Sequence, residues 1–240
     1  MSDHVNELGQ PVGFPVPDFS GAPRPPETPM VGRTCRVERL EPDRHAADLH
    51  AANTSAPDAA NWTYLPYGPF ETLPDYRDWM DATCRGADPM FHAIIDPSTG
   101  MAVGVASYMR MDPANAVIEV GHIHYSPLMQ RTVMSTECMY LMMARVFDEL
   151  GYRRYEWKCN ALNEASKGAA RRLGFTYEGT FRQMSVFKGR NRDTAWFSIL
   201  DTEWPRVKAA FETWLDPENF DAEGRQKRRL SELTAAALSP

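Results

Sequence analysis

The chain has 240 residues, 43% of them hydrophobic and 24% charged, with a formal net charge of −6. That length fits one large domain with extensions, and the acidic balance argues against a nucleic-acid partner, which needs a basic face to neutralise phosphate; the dense basic stretches, residues 188–192 and 225–229, are short. No apolar run approaches the roughly 20 residues that span a bilayer, and residues 1–19 lack the basic-then-apolar order of a signal peptide, so no membrane partner is expected and the expected location is the cytoplasm.

Cys35, Cys84, Cys138 and Cys159 are too far apart in sequence to form a metal knuckle or a redox pair. They read as buried, reduced thiols. Residues 11–30 carry Pro11, Pro15, Pro17, Pro23, Pro25, Pro26 and Pro29 among few apolar side chains. Proline fixes φ and removes a backbone donor, so residues 1–30 are expected to form an extended arm. Regular structure is expected to begin near Arg33, with a strand over residues 33–40. Pro42 then sits in the first turn of a helix running to about Ala52. Residues 61–70, NWTYLPYGPF, form an aromatic loop. It serves either as a substrate wall or as a plug that seals the core edge with Trp62 and Tyr64. A helix over residues 73–84 follows.

The middle of the chain reads as a meander. Strands are expected over residues 91–95, 102–111 and 116–125, separated by the turns Pro97-Ser98-Thr99-Gly100 and Asp112-Pro113-Ala114-Asn115. Pro127 ends the third strand. A helical stripe of Met139, Leu141, Met142, Val146, Phe147 and Leu150 spans residues 135–150 and stops at Gly151. A strand over residues 155–159, a helix over 163–173 stopped by Gly174, and strands over 175–187 and 194–200 complete the order. Residues 203–215 form a last helix. Residues 216–240 are either a docked helix or a mobile tail, which gives the division 1–30, 31–215 and 216–240.

The informative unit is the strand over 116–125, the loop 126–134 and the helix beyond. Backbone N–H groups in a helix's first turn have no partners, and the helix dipole adds positive potential there. A pyrophosphate suits that spot. Gln130, Arg131, Thr132, Ser135 and Thr136 supply a positive charge and hydrogen-bonding side chains. The plainer alternative is a helix capped by Ser135.

The run Gly121…Pro127-Leu128-Met129-Gln130-Arg131-Thr132-Val133-Met134-Ser135-Thr136-Glu137 resembles the acetyl-CoA pyrophosphate loop of the GNAT N-acetyltransferase superfamily. It is most similar to the branch that includes the RimJ and RimL ribosomal-protein acetyltransferases. Asn160-Ala161-Leu162-Asn163-Glu164-Ala165-Ser166, followed by Arg172-Leu173-Gly174-Phe175, resembles the Asn-x-x-Ser…Leu-Gly-Phe helix of that branch. The resemblance covers residues 33–215. It implies an α/β fold with a mixed, mostly antiparallel central sheet flanked by helices, extended here by the Pro-rich arm and a C-terminal helical tail. It also implies an N-acetyltransferase that uses acetyl-CoA as cosubstrate and passes the acetyl group to a primary amine of a small molecule or a protein N-terminus. Homodimerisation is a further expectation. The alternatives are a non-catalytic CoA-binding sensor, or an interaction protein on the same scaffold.

Two departures stand out. Val133 occupies the position of the first motif glycine and Ser135 that of the second small residue, so Val133 must turn its side chain away from the cofactor. Ala170 replaces the tyrosine that many members place before Leu-Gly-Phe, so no tyrosine serves as acid there. The resemblance assigns Gln130, Arg131, Thr132, Val133, Met134, Ser135, Thr136 and Asn163 to the cofactor. Glu119, in Glu119-Val120-Gly121, is expected either as general base, directly or through water, or as the partner of an arginine. Ser166 either donates to the leaving sulfur or bonds along its own helix. His122 and His124 are either packed side chains or neighbours of the amine. They share strand parity with each other and not with Glu119, unless a bulge intervenes. With no third ligand at suitable spacing they make no metal site.

Overall fold

The computed structural model describes residues 4–239; residues 1–3 of the expected arm and residue 240 of the expected tail lie outside this range. Residues 4–29 contain no helix, and an isolated bridge joins Val5 to Pro11. The arm is fastened near its end: Ala22 N donates to the Pro113 carbonyl at 2.9 Å and Arg145 Nη1 to that of Thr28 at 2.8 Å.

Regular structure starts slightly earlier than the sequence suggests. Strand β1 (Met30–Val31) pairs with β2 (Arg36–Arg39) around a tight turn. The carboxylate of Glu137 holds that turn by accepting from the N–H groups of Arg33, Thr34 and Cys35. No local pattern could reveal a partner about a hundred residues away. Helix α1 (Pro42–Thr54) begins at Pro42, and His45 Nδ1 accepts from Glu41 N at 3.0 Å. Helix α2 (Leu73–Thr83) is capped by Thr72, whose hydroxyl accepts from Asp75 N. Strands β3 (Met90–Ile95), β4 (Ala102–Asp112) and β5 (Val117–Tyr125) form the expected meander.

Helix α3 (Val133–Ala144) begins two residues before the expected Ser135, and its cap is Thr132. A π-type turn over Arg145–Glu149 extends it, so the apolar stripe reads as one long helix although the hydrogen bonding changes midway. Strand β6 (Arg154–Asn160), helix α4 (Glu164–Arg172), strands β7 (Thr176–Phe187) and β8 (Arg190–Leu200), and helix α5 (Trp204–Leu215) follow. The β7–β8 turn is shorter than residues 188–193, because β8 already pairs from Arg190. Of the two readings of the tail, a docked helix is found: α6 (Leu230–Leu238) buries Leu230 completely, and Thr234 Oγ1 donates to the Arg172 carbonyl at 3.1 Å.

The eight strands form one sheet in the order β1-β2-β3-β4-β5-β6-β8-β7. Its pairs are antiparallel except β5–β6, which is parallel and bridged by α3. Helices α1 and α2 cover one face with Leu49, Tyr76 and Met80 against Phe91, Ala93, Ile95 and Val105. Helices α3 and α5 cover the other with Met139, Met142, Val207 and Phe211 against Ile118, Val120, Tyr155 and Phe197. Each of the buried Leu, Met, Ile, Val and Phe side chains among these contributes roughly 1.5–3 kcal/mol. Among the described residues no helix is long and apolar enough to cross a membrane.

Candidate active site

The sheet opens where its one parallel pair ends. β5 and β6 pair only from Val117↔Arg154 to Val120↔Trp157. Beyond that point residues 121–125 and 158–160 continue apart, still paired to β4 and β8 on their outer sides. Each lip therefore keeps backbone donors and acceptors turned toward a gap, a cradle for an extended ligand with amide groups of its own.

Register explains how the β5 lip is shaped. Ser107 faces Gly121 and Val105 faces His124, so one extra residue is inserted on β5. The bulge centres on His122, whose φ of 49° is left-handed. Parity consequently changes. Glu119, Gly121 and His124 oppose Met109, Ser107 and Val105 in turn, and so lie on one sheet face. His124 packs on Trp62 with ring centroids 3.9 Å apart, and its Nε2 has no hydrogen-bond partner. His122 Nδ1 lies 3.1 Å from the Tyr67 hydroxyl. Burial holds both imidazoles down to about 4; for His122 the charges of Arg110 and Arg192 add to the effect. Both rings are therefore neutral near pH 7.

Glu119 sits at the apex of the gap and is almost fully buried. Arg110, itself at φ 46° in an irregular stretch of β4, reaches both of its oxygens at 2.9 and 2.8 Å. Lys158 Nζ lies 2.8 Å from Oε2 and 2.7 Å from Glu156 Oε2. Arg154 continues the chain, at 2.7 Å from Glu156 and 2.5 Å from Glu178. Charges thus alternate in sign across four strands. The sequence did carry a trace of this: Glu156 and Lys158 alternate with the core residues Tyr155, Trp157 and Cys159 along β6.

At the other end of the gap the loop before α3 offers backbone donors. The N–H groups of Met129, Gln130 and Thr132 are used within the loop, while those of Arg131, Val133 and Met134 find no acceptor among the described residues. Val133 and Met134 pack their side chains against the core, so valine at the glycine position leaves the loop's outer surface clear. Arg131, at φ 60°, is exposed and carries no ion pair among the described residues.

The remaining side chains expected at the cofactor divide. Thr132 Oγ1 donates to the Met129 carbonyl at 2.6 Å, and Ser135 Oγ to that of Thr132 at 2.7 Å. Thr136 is buried and accepts from Arg172 Nη1 at 3.0 Å. Gln130 Nε2 donates to Asn61 Oδ1 and to the Tyr125 carbonyl, tying the loop to the aromatic segment. Backbone N–H groups and Arg131 are what this loop leaves free for an anion. On the opposite lip Asn163 Oδ1 caps α4 by accepting from Ser166 N at 3.0 Å, which leaves its amide NH2 free. Ser166 Oγ accepts from Trp157 Nε1 at 3.0 Å, and its hydroxyl also lies within hydrogen-bond reach of the Cys159 thiol.

Residues 60–67 cross the mouth on the acceptor side. Asn61 Nδ2 donates to the Tyr125 carbonyl at 2.8 Å and Tyr64 OH to that of Leu162 at 3.2 Å, so the segment touches both lips. Lys188 Nζ donates to the Trp62 carbonyl at 2.9 Å and joins the β7–β8 turn to it. Trp62 is buried, so the loop plugs the core edge through Trp62 alone, while Tyr64 stays exposed.

A family described as an acetyltransferase (GNAT) domain matches residues 36–176, well over half of the chain. The chain belongs to this family of GNAT acetyltransferases, whose cosubstrate is acetyl-CoA. A GCN5-related N-acetyltransferase from Brucella melitensis is 46% identical, with a TM-score of 0.89 over 92% of this chain and 100% of that one. A GNAT-family structure from Chromobacterium violaceum ATCC 12472 is 38% identical, with a TM-score of 0.76 over 81% and 97% of the two chains. YdaF of Bacillus subtilis (strain 168), whose name proposes a ribosomal N-acetyltransferase, is 27% identical over 109 residues, 45% of this chain and 59% of YdaF. The match thus spans less than two thirds of that relative's length.

Proposed function

We propose that this chain transfers the acetyl group of acetyl-CoA to a primary amine by direct attack. The observation that carries the proposal is the gap between β5 and β6, with Glu119 at its apex and free N–H groups at its far end. A pyrophosphate on Arg131, Val133 and Met134 would lead the pantetheine arm between the two lips, whose backbone groups match its amides. The acceptor nitrogen attacks the thioester carbonyl, the C–S bond breaks, and the leaving thiolate accepts a hydrogen bond from the Ser166 hydroxyl and takes its proton from solvent. The amine proton passes to Glu119 directly or through water. Neutral His122 and His124 line the acceptor side.

A small-molecule acceptor is the preferred reading, because residues 60–67 strap the mouth to both Leu162 and Lys188. A protein N-terminus is the second reading, favoured by the name of YdaF. The exposed Tyr177, Phe181, Met184 and Val186 on the edge strand β7 support pairing of two copies. The four free, buried cysteines suit a reducing cytoplasmic compartment. Calorimetric titration of acetyl-CoA, followed by thiol release across a panel of amines, tests the proposal. Binding without turnover on any amine supports a sensor instead, and absence of binding at millimolar ligand removes the proposal altogether.

A further inference from the structure

The acceptor side of the gap carries a positive charge that lacks a counter-ion. Arg192 lies on β8 two residues before Thr194, which pairs with Asn160 at the end of the β6 lip. Strand alternation puts Arg192 on the same face as Thr194 and Trp196, opposite Ala195 and Phe197, which are core residues of the α3 side. That face is also the one that carries Lys158, whose ammonium sits 3.7 Å above the Trp196 ring. The Arg192 guanidinium rests on the Phe187 ring at 4.3 Å. Among the described residues no carboxylate lies within salt-bridge distance of it, and its Nε is buried without a hydrogen-bond acceptor.

This is an expensive arrangement unless something completes it. A buried donor without a partner is destabilising, and more so when it is charged. The cations of the neighbouring ladder are matched: Lys158 has Glu119 and Glu156, Arg154 has Glu156 and Glu178, and Arg110 has Glu119, while Lys188 of the same hairpin rests on the Trp62 carbonyl. Arg192 is also close enough to act electrostatically on His122 and Glu119, so it belongs to the surroundings of the reacting amine. Beside it, β7 loops out between Phe181 and Ser185, the latter paired with Arg192. A planar guanidinium with free donors is the natural receptor for a carboxylate.

We propose that Arg192 binds a carboxylate carried by the acceptor, so that the acceptor is a small amino acid holding its amine and its carboxylate on one short frame. The inference rests on the acetyl-transfer reading and narrows it. The carboxylate anchors at Arg192 on β8, and the amine reaches across to the bulge of β5. The small frame follows from the strap of residues 60–67, which ties Trp62 to Lys188 in the same hairpin turn.

Thiol release from acetyl-CoA should be followed with matched acceptors: a series of amino acids, their carboxamides, and the corresponding amines without carboxylate. Each is measured with wild-type protein, Arg192→Gln and Arg192→Lys. A charge-assisted contact predicts kcat/KM about 10- to 100-fold higher for the best acid than for its amide, chiefly through KM. Arg192→Gln should collapse that ratio toward one, and Arg192→Lys should restore part of it. Equal use of acid and amide by the wild type overturns the inference and leaves acetyl transfer standing. So does an Arg192→Gln variant that slows both alike. A peptide with an acidic second residue used better than every free amino acid overturns the small-molecule form. Turnover on no amine at all, with acetyl-CoA binding intact by calorimetry, removes the acetyl-transfer reading and the inference with it.

Discussion

Replacing Glu119 by glutamine separates the proton-accepting role from the ion-pair role of the residue. The substitution keeps volume and removes one negative charge from the ladder that runs from Arg110 to Glu178. Lys158, whose side chain is 7% exposed, would keep only Glu156. Arg110 would lose its carboxylate, but its side chain is 59% exposed and water takes over much of that interaction. Removing one partner of a buried pair costs about 3–5 kcal/mol. With Arg110 solvated and Glu156 still in place, the expected cost is about 2–3 kcal/mol. For a chain of this size that lowers Tm by roughly 5–10 °C. Turnover per folded molecule should fall by about 10²-fold or more, the scale of a lost general base, while acetyl-CoA affinity stays within a few-fold. Glu156→Gln is the control. It removes a carboxylate from the same ladder and should lower Tm comparably while turnover changes only a few-fold. Thiol release at a temperature where all three proteins are folded gives the comparison. If Glu119→Gln loses stability and keeps wild-type turnover, Glu119 is an ion-pair residue, and His122 or His124 becomes the candidate base.

Three further outcomes follow from the same geometry. Arg131→Ala should weaken acetyl-CoA binding by about 1–3 kcal/mol in calorimetry and leave the Tm of the free protein unchanged, because Arg131 is exposed and unpaired. Burial lowers His122 and His124 from 6.5 to about 4 in the folded chain. Between those values the unfolded state binds protons that the folded state does not, so stability is full above about pH 6.5 and falls as the pH drops toward 4; a Tm profile from neutral to acid should show this slope, and His124→Phe should flatten it. Deleting residues 216–240 should lower Tm by several degrees in calorimetry, because Leu230 is fully buried and Thr234 is tied to α4.

Local signals carried most of the fold. Gly151 and Gly174 end helices, the turns at Pro97 and Asp112 separate strands, and the meander follows from alternation. The start of α3 differs from the sequence expectation by two residues because Thr132, Ser135 and Thr136 all have capping chemistry; the cap is decided by which hydroxyl meets which N–H, and Thr132 meets Ser135 N. The roles of the loop side chains were legible only as residue types. Thr132, Ser135 and Gln130 hydrogen-bond inside the protein, and Thr136 lies beneath Arg172. Such occupancy depends on neighbours brought in from residues 61 and 172. The parts played by Arg110, Lys158 and Arg192 are not legible in the sequence for the same reason, since each gains its meaning from strands paired far along the chain. The bulge at His122, entertained from sequence only as a condition, is what puts Glu119 and His124 on one face.

A crystal structure of the complex with coenzyme A tests the central claim most directly. The account predicts the pyrophosphate on the N–H groups of Arg131, Val133 and Met134, the pantetheine between residues 121–125 and 158–160, and the sulfur beside Ser166 within reach of the Glu119 apex. A coenzyme bound away from the β5–β6 gap, or with its phosphates away from the start of α3, would contradict it.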